Sequence, residues 1–121
     1  MDIFCKIIEG EIPSYTFYED DNIKAFLDVN PKSPGHSLII PKLHYTDISD
    51  INDDMLLLIL KEAKIVGETL ISKLGANGFT FVQNNGAPQE VKHFHLHVIP
   101  SYDKKIDLSV DEVYKILNNN N

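Results

Sequence analysis

The sequence predicts an α+β fold, and three observations carry that prediction. Five short segments have strand-like apolar patterning. One long segment repeats its apolar residues at helical spacing. The links at residues 30–35 and 84–90 are too short to hold crossover helices. The expected arrangement is a five-stranded antiparallel sheet with one long helix and a short C-terminal helix.

Residues 3–9 read as a short helix, and Gly10 and Pro13 end regular structure there. Residues 15–19 and 23–29 read as the strands of a hairpin, with Asp20, Asp21 and Asn22 as its turn. Asn30, Pro31, Lys32, Ser33, Pro34 and Gly35 form a stiff loop. A third strand over 36–40 is expected to stop at Pro41, which cannot donate to a ladder. Residues 49–52 offer N-caps, and the long helix covers 53–74, about 33 Å at 1.5 Å per residue. Its expected apolar side is Leu56, Ile59, Leu60, Ala63, Val66, Gly67, Leu70 and Leu74, with Gly75 as a left-handed stop. Leu57 and Leu58 beside Leu56 widen that side, as in a helix covered from more than one direction. Residues 78–83 and 91–99 complete the strands, the last ending at Pro100, and a terminal helix begins at Ser109 or Asp111 and ends at Leu117. One domain spans 1–117, and the asparagine tail 118–121 is expected to fray as a disordered end.

Composition narrows the function. Hydrophobic residues at 43% and charged residues at 24% are ordinary for a globular chain of 121 residues. A formal charge of -7 argues against broad nucleic-acid binding but leaves room for a small phosphate ligand held by local groups. No apolar run reaches the roughly 18 residues of a membrane span, and no signal segment opens the chain. A single cysteine, Cys5, forms no internal disulfide, so a reducing, cytoplasmic location is expected.

Three of the five histidines fall together in His93-Phe94-His95-Leu96-His97-Val98-Ile99-Pro100. On a strand, alternate residues share a face. The three imidazoles then project one way while Phe94, Leu96 and Val98 project into a core. Such a face can be a solvated polar surface, part of a metal site or a catalytic surface. Lys and Thr would solvate a strand more cheaply. Three imidazoles on one straight strand close poorly around one ion, because the outer Cα atoms lie about 13 Å apart. A neutral imidazole is, by contrast, a good nucleophile toward phosphorus and a good leaving group from it, and its neighbours can bind phosphoryl oxygens and move protons.

The pattern resembles the histidine triad (HIT) family, in its small nucleotide-binding, purine nucleoside phosphoramidase-like branch. The motif is complete from His93 to Ile99, and two further segments match the family's other signatures: 26–44, which includes Asp28, the Pro-rich loop and His36, and 3–13. The resemblance implies the HIT-like fold, with the sheet extended to ten strands in a homodimer. It implies a hydrolase that cleaves the P–N bond of purine nucleoside 5′-phosphoramidates through a nucleotidyl-histidine intermediate. The alternatives are a dinucleoside polyphosphate hydrolase, or a nucleotide-binding or interaction protein with incidental catalysis. His95 matches the nucleophile, His97 the residue at the phosphate oxygens and leaving group, His93 a residue that shapes the pocket, and His36 a member of the tautomer-fixing relay. Asp28 matches the ribose-binding carboxylate, and Phe4, Ile7, Phe26 and Leu27 match the base-packing positions. Asn84, Gly86, Gln89, Glu90 and Val91 match the phosphate loop, with the backbone of Glu90 rather than its carboxylate expected to face the phosphate. The implied partners are purine nucleotides (AMP, GMP), their phosphoramidates or acyl-nucleotides, and a second copy of the chain, with neither nucleic acid nor membrane.

Three positions depart from the family pattern. Asp2 replaces the first cysteine of a Cys-x-x-Cys zinc site, leaving Asp2, Cys5, His44 and His93 as a possible remnant. No metal is expected to be required, and zinc is possible but disfavoured. Lys92 stands where an aromatic or apolar residue is usual and is expected at the sheet margin on the core side. Ser101 replaces an arginine.

Overall fold

The strand segments Ile23–Leu27 and Ser37–Pro41 are short and buried at every residue, so both faces of the sheet are covered there. In a computed structural model that describes residues 2–119, α1 (Ile3–Ile8) is followed by β1 (Thr16–Glu19), β2 (Ile23–Leu27) and β3 (Ser37–Pro41). Then come α2 (Asp53–Leu74), β4 (Gly78–Val82), β5 (Leu96–Ser101) and α3 (Val110–Leu117). The sheet has five strands in the order β1-β2-β3-β5-β4, every neighbouring pair antiparallel. The α+β architecture expected from the sequence is therefore observed. The crossover through α2 carries the chain from β3 to β4 and leaves a gap between them, which β5 fills.

Alternation along the strands sorts residues between two cores. Ile23, Ala25 and Leu27 of β2, Ile39 of β3, and Leu96 and Val98 of β5 pack with α2 and α3. Phe26, Leu38 and Ile40 point the other way and pack with Phe4 and Ile7 of α1. Lys24 shares this second face: its buried Nζ donates to the Ile7 carbonyl at 3.2 Å.

The long helix spans the predicted residues. Asn52 caps its start by accepting from the Met55 N–H at 2.8 Å, and Gly75 ends it at φ 75. Its inner side differs from the expectation. Met55 and Glu62 are buried there, while Leu60 is 41% exposed. Close packing is tightest at Gly67, where an added Cβ would lie 2.4 Å from the Phe79 ring.

Three other expectations are corrected. The fifth strand starts at Leu96, not 91, so His93 and His95 precede it. Pro41 is the last residue of β3, as expected, and pairs with Ile23, whereas Pro100 does not end its strand: it pairs with Phe79, and β5 runs on to Ser101. A proline carbonyl still accepts, so a strand tolerates one where only its acceptor is used. Lys92 is exposed and outside the sheet, its Nζ donating to the Gly86 carbonyl at 2.6 Å. At the C-terminus, the Asn118 N–H bonds the Tyr114 carbonyl at 3.1 Å, and Lys73 Nζ reaches the Leu117 and Asn119 carbonyls at 3.0 and 2.9 Å. Of the tail expected to fray, positions 120 and 121 lie outside the described residues.

Candidate active site

The segment leading into β5 keeps its alternation without being part of the ladder. Phe94, Leu96 and Val98 enter the helix-side core. The Phe94 N–H is held by the Tyr45 carbonyl at 2.7 Å. The opposite side carries a row of rings. Centroids lie 5.8 Å apart between His93 and Phe4, and 5.0 Å between Phe4 and His95. The row continues at 5.0 Å from His95 to His97 and 5.1 Å from His97 to His36. His97 sits opposite Leu38 in the β3–β5 register, which brings it next to the start of β3 and to His36.

Hydrogen-bond partners fix the tautomer of each neutral ring. The His93 carbonyl lies 2.7 Å from His95 Nδ1, so that nitrogen carries the proton and Nε2 keeps a lone pair. The Lys32 N–H donates to His36 Nδ1 at 3.1 Å, so His36 is protonated on Nε2 and donates to His97 Nδ1 at 2.9 Å. His97 in turn holds its proton on Nε2. The Pro41 carbonyl lies 2.9 Å from His93 Nε2, which leaves a lone pair on His93 Nδ1. Of the four imidazoles only His95 keeps an unprotonated Nε2, and it lies beside the Nε2–H of His97.

Burial opposes protonation of His36, His95 and His97. Desolvation pushes the His97 pKa down to about 4, helped by His95 and His36. Desolvation also lowers His95 and His36, against the pull of Asp28 on both. Glu90 contributes a weaker pull in the same direction on His95.

The rings face a cleft of about 610 Å³. Of the predicted residues, Phe4, Ile7, Phe26, Leu27, Asp28, His36, Asn84, Glu90, Val91, His95 and His97 line it. His93, Gly86 and Gln89 do not. His93 is fully buried behind Phe4. Gly86 forms the turn (φ 70) and spends its carbonyl on Lys92 and on the Gln89 N–H. The Gln89 side chain is buried and donates to the Thr46 carbonyl, leaving its Oε1 without a partner among the described residues. The sequence reading missed Ile3, Ile12, Leu38 and Lys32 as lining residues. Leu38 was readable as the alternate of Ile39, whereas Ile12 and Lys32 sit in loops that carry no period. Asp28, at the end of β2, accepts from the Asn30 N–H at 2.9 Å, and its other oxygen lies 3.6 Å from His36 Nε2.

A second cluster lies behind His93. The donor atoms of Asp2, Cys5, His44 and His93 are all within 4.8 Å of one another. Asp2 caps α1 through Oδ1, which accepts from the Cys5 N–H at 2.8 Å. Its Oδ2 lies 3.1 Å from His44 Nε2 and 3.4 Å from His93 Nδ1. Cys5 Sγ is 3.6 Å from that same Nδ1. The free lone pair of His93, one thiol, one imidazole and one carboxylate form a donor set that fits zinc. Burial and the Asp2 carboxylate push the Cys5 thiol pKa up, which opposes the thiolate that zinc needs. Zinc is therefore possible here, and disfavoured relative to a thiolate-rich site.

Comparison with known proteins agrees with this geometry. Residues 9–104 match the HIT domain. An uncharacterized HIT-like protein of Methanocaldococcus jannaschii is 46% identical, the match covering 95% of this chain and 97% of that one. The adenosine 5′-monophosphoramidase HNT1 of Saccharomyces cerevisiae is 43% identical over 89% of this chain and 67% of its own. A Zn-bound histidine triad family protein of Mycobacterium smegmatis superposes with a TM-score of 0.89 at 31% identity, over 96% of this chain and 89% of that one. The histidine row, the motif and the fold agree, and the chain belongs to the HIT-domain family.

Proposed function

We propose that the protein hydrolyses purine nucleoside 5′-phosphoramidates through a nucleotidyl-histidine intermediate. The observation that carries this reading is the pairing of an unprotonated Nε2 on His95 with an Nε2–H on His97, both rings lining one cleft. In this reading the base packs among Phe4, Ile7, Phe26 and Leu38, and Asp28 accepts from the ribose hydroxyls. His95 Nε2 attacks the α-phosphorus, and the His97 Nε2–H bonds the phosphoryl oxygen or the departing amine. His36 acts through His97 by fixing its tautomer. Water then cleaves the phosphorus–nitrogen bond to His95. Zinc at the second cluster would stiffen α1 against His93 and lies outside the reaction.

The test is a turnover ranking of adenosine phosphoramidate, an aminoacyl adenylate and a diadenosine polyphosphate. Preference for the phosphoramidate supports the proposal, and strong preference for the polyphosphate replaces it with the alternative hydrolase. The same reading predicts a pH profile. Attack needs neutral His95, whose pKa is depressed, so kcat/KM is expected to stay flat from pH 8 down to 6.5 and fall only below that. Stability follows the same sign. A histidine with a lowered native pKa binds fewer protons when folded. For His97 the folded state therefore loses stability as pH falls from 6.5 to about 4. Urea midpoints measured across that window check it, and His97→Asn is expected to flatten the dependence.

The reading also includes a homodimer. Leu57 and Ile65 of α2 are 53% and 57% exposed, and Phe81 of the edge strand β4 is 41% exposed. A two-fold pairing of β4 edges would cover all three and join the sheets into ten strands. Sedimentation is expected to give a dimer for the native chain and a monomer for the pair Leu57→Glu, Ile65→Glu. No helix among the described residues is long and apolar enough to cross a membrane.

A further inference from the structure

Asp2 stands between the first turn of α1 and the histidine segment, and both of its carboxylate oxygens are engaged. Oδ1 accepts from the Cys5 N–H at 2.8 Å and caps the helix. Oδ2 lies 3.1 Å from His44 Nε2, which donates to it, and the His44 and His93 rings meet edge to face with centroids 4.9 Å apart. Oδ2 also sits 3.4 Å from His93 Nδ1. That nitrogen carries a lone pair, because the Pro41 carbonyl holds the proton of the ring on Nε2. The Cys5 thiol, 3.6 Å from Nδ1, supplies the hydrogen that lies among these acceptors. Among the described residues the one buried side-chain oxygen or nitrogen without a partner is Gln89 Oε1, so the four groups of this cluster satisfy one another.

The cluster reaches the cleft by two routes. Phe4, two positions beyond Asp2, places its ring centroid 5.8 Å from that of His93 and 5.0 Å from that of His95, and Phe4 and Ile7 line the cleft. The His93 carbonyl lies 2.7 Å from His95 Nδ1 and so sets which nitrogen of His95 is left free. A helix of six residues is too short to hold its place by its own hydrogen bonds, and needs tertiary anchors. We infer that Asp2 is a positioning residue whose carboxylate clasps α1 to His44 and His93 through hydrogen bonds alone, and thereby holds Phe4 and His95 in place without a metal ion. A carboxylate is charged and accepts several hydrogen bonds at once. A thiol at the same position is a weak acceptor and would need bound zinc to join the same groups.

Melting temperature, and AMP affinity by calorimetry, are to be measured for the native chain and three variants, each in EDTA and in equimolar zinc. The melting arm tests the clasp alone, whereas the binding arm rests on the proposed nucleotide cleft. The native chain is expected to melt at the same temperature in both conditions. Asp2→Ala is expected to melt about 5 °C lower, the scale of a lost cap with its paired charge. It is also expected to bind AMP about fivefold more weakly, because α1 is in its binding position for less of the time. Asp2→Asn keeps a capping oxygen but not the charge facing His44, and is expected to lose affinity with a smaller fall in melting temperature. Asp2→Cys is expected to lose both in EDTA and to recover both in zinc. A native chain that melts higher in zinc than in EDTA overturns the inference, because a metal would then join the groups. An Asp2→Asn chain that matches the native one in both measurements also overturns it, because Asp2 would then be a helix cap only. If the melting results hold while no form binds AMP, the clasp stands and the nucleotide reading falls.

Discussion

His95→Ala is expected to lower kcat/KM for adenosine phosphoramidate by at least about 10³-fold, the scale of loss when a covalent nucleophile is removed. The geometry explains why no neighbour can take over. His97 is the nearest ring, but its Nδ1 is occupied by His36 and its Nε2 carries the proton. His93 is fully buried behind Phe4 and directs its lone pair toward Asp2 and Cys5. His95 alone presents an unprotonated nitrogen to the cleft, because the His93 carbonyl holds its other nitrogen. His97→Ala is expected to cost less, about a hundredfold, since a proton donor contributes less than the nucleophile. Stopped assays with product quantification, beside AMP binding by calorimetry, separate lost chemistry from lost binding. Retained binding with lost turnover is the expected pattern. Full turnover by His95→Ala would show that attack on phosphorus comes from another group.

What the sequence made legible follows from what periodicity reports. The apolar–imidazole alternation from 93 to 98 assigned each side chain to its correct side of the sheet, because burial alone sets which residues face a core. It did not report where ladder pairing begins. The β3–β5 pairing stops at Ile39↔Leu96, and the Phe94 N–H goes to Tyr45, so an extended segment read as a strand lies outside it. The helix was placed by its caps, Asn52 and Gly75, which act locally. Its buried side was less legible. Glu62 turns inward toward Asp20 on the β1–β2 hairpin, and burial and that charge raise its pKa. Leu57 and Ile65 turn outward, where the proposed second copy would cover them. The loop before the histidine segment was the least legible part. Residues 83–92 carry no period, so nothing local showed that Gln89 would turn to Thr46 while Glu90 lines the cleft.

Phe94→Ala is expected to destabilise the protein by about 3–5 kcal/mol, the range for emptying a buried phenyl site. Against a total of about 5–15 kcal/mol for a domain, that removes a large share of the folding free energy. The ring is 1% exposed and packs in the core made with α2 and α3. It is the reverse side of the segment whose obverse carries His93 and His95, so the same backbone that presents the proposed nucleophile is anchored by this ring. Urea unfolding is expected to show a lower midpoint at an unchanged slope, the mark of lost stability rather than altered compactness. Phe94→Leu keeps most of the apolar volume and is expected to lose less stability while retaining activity per folded molecule. A leucine variant that folds yet has lost turnover would show that the ring itself positions His95, and that core packing and catalysis at this segment are one constraint rather than two.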